Sequence, residues 1–145
     1  VRPIRPGSSD SATHGDETLN PPARLFFGLG ACLALLSVGA GAFGAHALRA
    51  RLDPAMLEVF ETGARYQMYH ALGLMAVAWA ANLRPSGSVR LAGWLFVLGI
   101  VLFSGSLYLL ALGGLGAFGI VTPFGGVAMM AGWGCLAYWA FTARD

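Results

Sequence analysis

The rest of this chain is organised around residues 39–74, GAGAFGAHALRARLDPAMLEVFETGARYQMYHALGL. Two apolar, uncharged segments meet in it across a short polar connector. The stretch also holds both histidines that lie outside the first 23 residues, His46 and His70. Apolar segments on both sides of a connector are typical of helices that cross a membrane and turn back. Further apolar segments and a polar tail make up the rest of the chain.

Composition places the whole chain among membrane proteins. Of its 145 residues, 57% are hydrophobic and 11% are charged, whereas soluble domains carry about 25% charged residues. Residues 91–143 contain no charged side chain, and such a run cannot face water. The formal net charge of +2 is too small to indicate a nucleic-acid partner. We therefore expect a lipid bilayer around this protein.

Hydropathy and helix breakers predict an all-α membrane protein with four transmembrane helices in an antiparallel bundle. The helices are expected at about 25–46, 54–82, 91–112 and 123–142, in one domain over residues 24–145. Each apolar segment is long enough to cross a bilayer core about 30 Å thick. Glycines between the last two segments indicate the break there.

The first 23 residues are rich in Pro, Ser, Gly, Asp and Thr. Because such a segment contains little apolar surface to bury, we expect a disordered polar tail. A cleavable signal peptide is the alternative for the first helix, since Ala40-Gly41-Ala42 resembles a small-residue cleavage site.

The second helix has a start signal of its own. Asp53 is a suitable N-cap, and Pro54 suits the first helical position, where no N–H is needed. Three charges follow on one face, Glu58, Glu61 and Arg65. We expect this charged part to lie at the membrane surface and the remainder to enter the bilayer.

Small residues let helix backbones approach closely in lipid. The glycines expected to pack helices together are Gly39, Gly41, Gly44, Gly105 and Gly126. The four tryptophans lie mostly near expected helix ends or on lipid-facing turns, where indole rings anchor helices at the interface: Trp79, Trp94, Trp133 and Trp139.

Arginine placement favours one orientation. The side that both termini share carries four arginines near the membrane, Arg24, Arg84, Arg90 and Arg144. The other side carries three, Arg49, Arg51 and Arg65. This bias predicts cytoplasmic termini in a multi-pass protein of the bacterial inner membrane.

Depth counting predicts one polar layer within the bilayer. At about 1.5 Å per residue, His70 lies roughly 10 Å below the boundary near residues 49–53, level with Ser37 and Ser104. An ionisable side chain at that depth is a candidate functional site. We favour the simpler interpretation, that His70 joins helices by a hydrogen bond to a serine hydroxyl or a carbonyl. The candidate polar site comprises His70, Ser104 and their neighbours: His46, Arg65, Tyr66, Gln67, Ser106 and Tyr108.

We expect no cofactor, no metal ion and no enzymatic activity. Haem ligation needs two axial ligands at one level, and His46 and His70 differ by roughly 10 Å in depth. A surface metal site is the alternative for Asp53, Glu58, Glu61 and His46. A solvated amphipathic face accounts for the same residues.

Four motifs carry a resemblance to a known family. GAFGAHAL (41–48), RYQMYHALGL (65–74), FSGSLYLLAL (103–112) and TPFGG (122–126) follow in order with similar spacing. On these motifs the chain resembles the YgdD-like family of small bacterial inner-membrane proteins. The resemblance implies a four-span protein whose molecular function is not established, and it implies no catalytic residue.

Two classes of function remain after these exclusions. The first is a structural or accessory membrane protein that packs with copies of itself or with a larger complex. The second is a small transporter or lipid-handling protein that uses the polar layer around His70. We favour the first, because no carboxylate or lysine lies in the middle of a span.

Overall fold

Four helices form the fold, in a computed structural model that describes residues 19–114 and 116–142. They are α1 (Pro21–Leu48), α2 (Pro54–Leu83), α3 (Gly87–Gly113) and α4 (Thr122–Thr142), and a 3₁₀ turn, Gly116–Ile120, precedes α4. The predicted all-α fold is therefore confirmed. Residues 1–18 of the expected disordered tail lie outside the described residues.

Helix α1 begins at Pro21 rather than at residue 25, so the last residues assigned to the tail are helical. Asn20 is its N-cap, because the Asn20 side chain accepts a hydrogen bond from the N–H of Ala23 at 2.9 Å. Pro21 and Pro22 fit the first turn, where no N–H is required.

Helix α2 is capped as the sequence predicts. The Asp53 carboxylate accepts hydrogen bonds from the N–H groups of Ala55 and Met56 at 2.9 and 3.0 Å. From this cap one unbroken helix runs through His70 to Leu83. The charged start and the buried histidine therefore belong to the same rigid element.

Three helices of the described chain are long and apolar enough to cross a membrane: Pro21–Leu48, Gly87–Gly113 and Gly116–Thr142. Helix α2 is not among them, so length and composition do not confirm the expected count of four spans. The hydropathy of α2 is lower partly because it carries polar side chains that the fold buries. Gln67 and His70 lie on α2, and both side chains are buried inside the protein.

Helix α2 lies antiparallel to α1 along its whole length. At one end the Asn20 side-chain amide donates to the carbonyl oxygen of Ala81 at 2.7 Å. At the other end Gly44 packs against the Phe60 ring. Between these ends, the fully buried residues of α2 contribute to the main core: Leu74, Val77, Ala78, Ala80 and Ala81.

Helix α3 contains a π-helical turn, Ile100–Ser104, in which the N–H of Gly105 bonds to the carbonyl of Ile100. Such turns insert one residue into a helix and are frequent at functional sites. Phe96, one turn before the insertion, is fully buried and packs between α2 and α4. The insertion therefore lies where α3 contacts both neighbours.

Candidate functional site

His70 lies inside the protein with both ring nitrogens bonded, and its side chain is 6% exposed. Its Nδ1 is 2.8 Å from the carbonyl oxygen of Tyr66, and its Nε2 is 3.3 Å from the indole nitrogen of Trp133. A carbonyl only accepts and an indole N–H only donates. The imidazole is therefore neutral, with its proton on Nδ1, and a second proton would displace Trp133.

Aromatic rings from α2 itself, from α3 and from α4 surround this imidazole. Phe96 of α3 meets it edge-on with ring centroids 5.4 Å apart, and Tyr66 stacks on it at 6.3 Å. The Trp133 ring of α4 lies 6.2 Å away and also packs against Phe96. These contacts hold His70 in one orientation and join α2, α3 and α4.

Gln67 forms a second polar junction, one turn along α2. Its side-chain amide donates to the carbonyl of Leu33 on α1 at 2.9 Å. Its Oε1 accepts a hydrogen bond from the Tyr108 hydroxyl on α3, also at 2.9 Å. Since Gln67 is 5% exposed, this one side chain bonds α1, α2 and α3 together away from solvent.

Two buried serines make further bonds between segments. Ser37 of α1 donates to the carbonyl of Ala64 on α2 at 2.7 Å. Ser106 of α3 donates to the carbonyl of Phe103 at 2.9 Å, which leaves its oxygen as acceptor for the Thr122 hydroxyl at 2.7 Å. The Ser106–Thr122 bond ties α3 to the first residue of α4.

Ser104 is the exception among these buried groups. Its side chain is 1% exposed and lies at the end of the π-helical turn, yet its Oγ has no hydrogen-bond partner among the described residues. A buried hydroxyl without a partner costs about 1–3 kcal/mol. The predicted place of Ser104 in the polar layer suggested a hydrogen bond between helices. In the described residues Ser104 makes no such bond.

The expected polar layer consists of separate junctions. The Ser37 hydroxyl bonds to the Ala64 carbonyl, and the His70 ring bonds to the Trp133 indole. Ser37 and His70 therefore do not bond to each other. His46, expected near the rim of the site, is exposed on the last turn of α1. Arg65 is also exposed, and it lines a surface cleft with Glu61. Tyr66 contributes its backbone carbonyl and its ring to the surroundings of His70.

Trp133, predicted to be an interface anchor, instead bonds to His70 inside the helix bundle. Trp133 lies at the middle of α4, far from both helix ends. A mid-helix position is the signal that could have distinguished it from an anchor, because an indole N–H in the bilayer core needs an acceptor. Trp139 also bonds within the protein, since its indole donates to the carbonyl of Arg84.

Close helix packing uses mostly other glycines than those expected. Among residues 19–114 and 116–142, a β-carbon at Gly39, Gly41 or Gly105 would meet nothing within 4 Å. A β-carbon at Gly44 would lie 3.3 Å from the Phe60 ring, and one at Gly126 would lie 3.8 Å from the Phe103 ring.

Five glycines outside the expected set have no room for a side chain: Gly30, Gly93, Gly99, Gly125 and Gly132. A β-carbon at Gly30 would lie 2.7 Å from the carbonyl oxygen of Ala71 on α2. One at Gly99 would lie 2.6 Å from the Met129 side chain, and one at Gly132 would lie 2.6 Å from the Phe96 ring. These positions allow α1 to approach α2 and α3 to approach α4.

In the part of the chain that the structure describes, no three His, Cys, Asp or Glu side chains come together as a metal-binding group. The proposed alternative at Asp53, Glu58, Glu61 and His46 therefore gains no support from their arrangement. Glu58 and Glu61 line a shallow surface cavity together with Arg49.

Comparison with known proteins identifies relatives over most of the chain. Residues 40–126 match a family described as "Protein of unknown function (DUF423)". The UPF0382 membrane protein YwdK of Bacillus subtilis is 52% identical over 111 residues, which cover 76% of this chain and 90% of the relative. The UPF0382 membrane protein SH2409 of Staphylococcus haemolyticus is 47% identical over 110 residues, covering 76% and 89%. No solved structure matches the chain.

These relatives confirm the expectation of a membrane-protein family whose molecular function is not established. They carry the names DUF423 and UPF0382, and the YgdD-like name is not confirmed. The matched region extends from the end of α1 to the beginning of α4, so it includes His70, Gln67 and Ser104.

Proposed function

Because the chain belongs to the DUF423 family of membrane proteins of unknown function, we propose that it is a four-span accessory protein of the bacterial inner membrane. It packs with copies of itself or with a larger membrane complex, and it is not an enzyme. Both termini lie in the cytoplasm.

The pairing of α2 with α1 supports the fourth span. Asn20 meets Ala81 at one end of the pair, and Gly44 meets Phe60 at the other. If α1 crosses the bilayer, α2 crosses beside it over the same depth. The polar groups of α2 that lower its hydropathy are hydrogen-bonded inside the bundle, as a spanning helix requires.

The outward face of α1 supports the proposal that the protein packs against a partner. Gly28 and Gly39 lie three turns apart on this face, and neither has any atom within 4 Å of an added β-carbon. Cys32 is exposed on the same face. In lipid, small residues on an outward face favour close contact with another helix. Within the described chain these two glycines pack against nothing, which leaves the face available to a partner.

The polar interior gives less support to transport or lipid handling. Both nitrogens of His70 are bonded, and Gln67 uses both its amide and its carbonyl group. A transported substrate would have to displace these bonds. Polar side chains whose donors and acceptors are already paired within the protein are typical of hydrogen bonds that join helices.

Oxidative cross-linking through Cys32 tests the accessory proposal in native membranes. A disulfide forms only where two Cα atoms approach within about 7 Å. In a Cys135→Ser background, we expect copper phenanthroline to give a covalent dimer or an adduct with one partner protein. Cys32→Ser should abolish this product.

A matched pair of glycine variants completes that experiment. Gly39→Leu fills the outward face of α1 and should reduce cross-linking, whereas Gly134→Leu adds the same bulk at an open position on α4. Unchanged cross-linking in Gly39→Leu, or no Cys32 product in the parent protein, would contradict the proposal that this face packs against a partner.

A further inference from the structure

A cleft of about 370 Å³ opens between α1 and α2 near the connector that joins them. Its wall on α2 carries Glu61, Arg65 and Tyr69, and its floor includes Gly41 of α1 and Met68. The cleft is separate from the polar junctions at His70 and Gln67. It combines two opposite charges with an apolar floor.

The charged groups follow a fixed order along the helix. Glu61, Arg65 and Tyr69 are spaced four residues apart, so they lie on one face, each about one turn or 6 Å deeper than the last. Glu61 is nearest to the polar connector and is half-buried. Arg65 is exposed one turn deeper, and Tyr69 is 52% exposed below it. From the membrane surface inward, the cleft thus presents an anion, a cation and an aromatic ring.

We propose that this cleft binds a zwitterionic phospholipid with a primary ammonium in its headgroup. Such a lipid has its ammonium outermost, its phosphate next, and its ester groups and acyl chains below. This order matches the order of Glu61, Arg65 and Tyr69. A guanidinium is well suited to phosphate oxygens, and a carboxylate accepts hydrogen bonds from an ammonium.

The floor of the cleft suits an acyl chain. Gly41 has no neighbouring atom within 4 Å of an added β-carbon, so α1 leaves a flat surface there. Ser37 also lines the cleft, but its hydroxyl is occupied by the carbonyl of Ala64. Together with Met68 these groups present an apolar surface below the charged rim.

Charge complementarity selects this lipid over an anionic one. An anionic lipid such as phosphatidylglycerol also offers Arg65 a phosphate, but its outer glycerol is neutral and places no cation at the Glu61 carboxylate. The inference rests on the proposed membrane placement of α2 and does not depend on any protein partner. It therefore stands or fails separately from the Cys32 cross-linking.

Native mass spectrometry of the purified full chain tests the proposal. The protein is mixed with equal amounts of phosphatidylethanolamine and phosphatidylglycerol of identical acyl chains. We expect phosphatidylethanolamine adducts to predominate. Glu61→Gln should lower their excess about threefold, the scale of one exposed ion pair, and Arg65→Gln should weaken the binding of both lipids.

Two charge controls lie outside the cleft. Glu58→Gln and Arg49→Gln remove the same kinds of charge at the neighbouring surface cavity, and both should retain the parent preference. Gly41→Leu places a side chain in the open space at the floor of the cleft. This variant should therefore reduce adducts of both lipids.

Three results would overturn the proposal. The first is an unchanged lipid ratio in Glu61→Gln, and the second is equal or stronger binding of phosphatidylglycerol by the parent protein. The third is a Gly41→Leu variant that changes oligomeric state without changing lipid adducts, which would assign the cleft to a second copy.

Discussion

The indole N–H of Trp133 donates a hydrogen bond to Nε2 of His70 across 3.3 Å, which joins α4 to the buried face of α2. The opposite nitrogen of the same ring donates to the Tyr66 carbonyl. One neutral tautomer satisfies both partners. This hydrogen bond makes His70 a helix-joining residue, so replacing His70 should lower the stability of the protein.

Replacement of Trp133 by Phe should cost about 0.6 kcal/mol of stability, with an upper range near 2, because interhelical hydrogen bonds in membranes have this scale. His70→Leu should lose a similar amount. The double variant should be less destabilised than the sum of the single variants, since both changes remove the same bond. Unfolding in mixed detergent micelles measures all three, and additive losses would contradict the assigned bond.

His70→Leu also separates the two classes of function. A helix-joining histidine should leave association with partners intact while stability falls. Co-purification from gently solubilised membranes measures that association. If the variant keeps its stability and a cellular phenotype disappears instead, His70 has a functional role that the accessory proposal does not include.

Tyr108→Phe and Gln67→Leu should differ in severity. Tyr108→Phe removes one hydroxyl and should cost about 0.6 kcal/mol. Gln67→Leu should cost more, because it leaves the Tyr108 hydroxyl and the Leu33 carbonyl without their partner. Equal stabilities of these two variants in mixed micelles would show that the Gln67 junction does not hold α1 to α3.

Ser104→Ala should be neutral or slightly stabilising, because it removes a buried hydroxyl that has no partner in the described chain. Ser37→Ala is the matched control, since it removes the bond to the Ala64 carbonyl and should destabilise the protein. Thermal unfolding of the two variants side by side checks the prediction. A loss in Ser104→Ala as large as that in Ser37→Ala would mean that Ser104 is bonded in the membrane.

Gly30→Ala should destabilise the protein by about 1–3 kcal/mol, because its new methyl group would overlap the Ala71 carbonyl. Gly28→Ala, two residues earlier on the open face of α1, should be neutral or stabilising. The pair is measured under identical micelle conditions. A reversed order of stabilities would mean that α1 is rotated relative to the structure.

Labelling of introduced cysteines tests the four spans. In a background with Cys32→Ser and Cys135→Ser, Pro85→Cys and Gly116→Cys place thiols at exposed positions in two successive connections. An impermeant maleimide applied to intact cells should reach Gly116→Cys and should reach Pro85→Cys only after the membrane is opened. Labelling of both sites from the same side would exclude a membrane-spanning α3 and hence the four-span topology.

The class of the protein and the positions of its helices follow from the amino-acid sequence alone. Long uncharged segments dictate a membrane environment whatever their neighbours are, and the Asp53–Pro54 start of α2 depends on local backbone chemistry. The depth count also identified Ser37, Gln67, His70 and Ser104, each of which is buried in the structure.

The rotation of each helix about its axis, in contrast, depends on packing between the helices. In α1, α3 and α4 every face is apolar, so no periodic pattern distinguishes the face toward the protein from the face toward lipid. Rotation follows instead from steric fit between small and large residues, such as Gly132 against Phe96. This fit turns Trp133 toward His70, leaves Ser104 unbonded and turns Gly39 outward. Depth along a helix can be counted from the sequence, whereas the direction of a side chain around it depends on packing between helices.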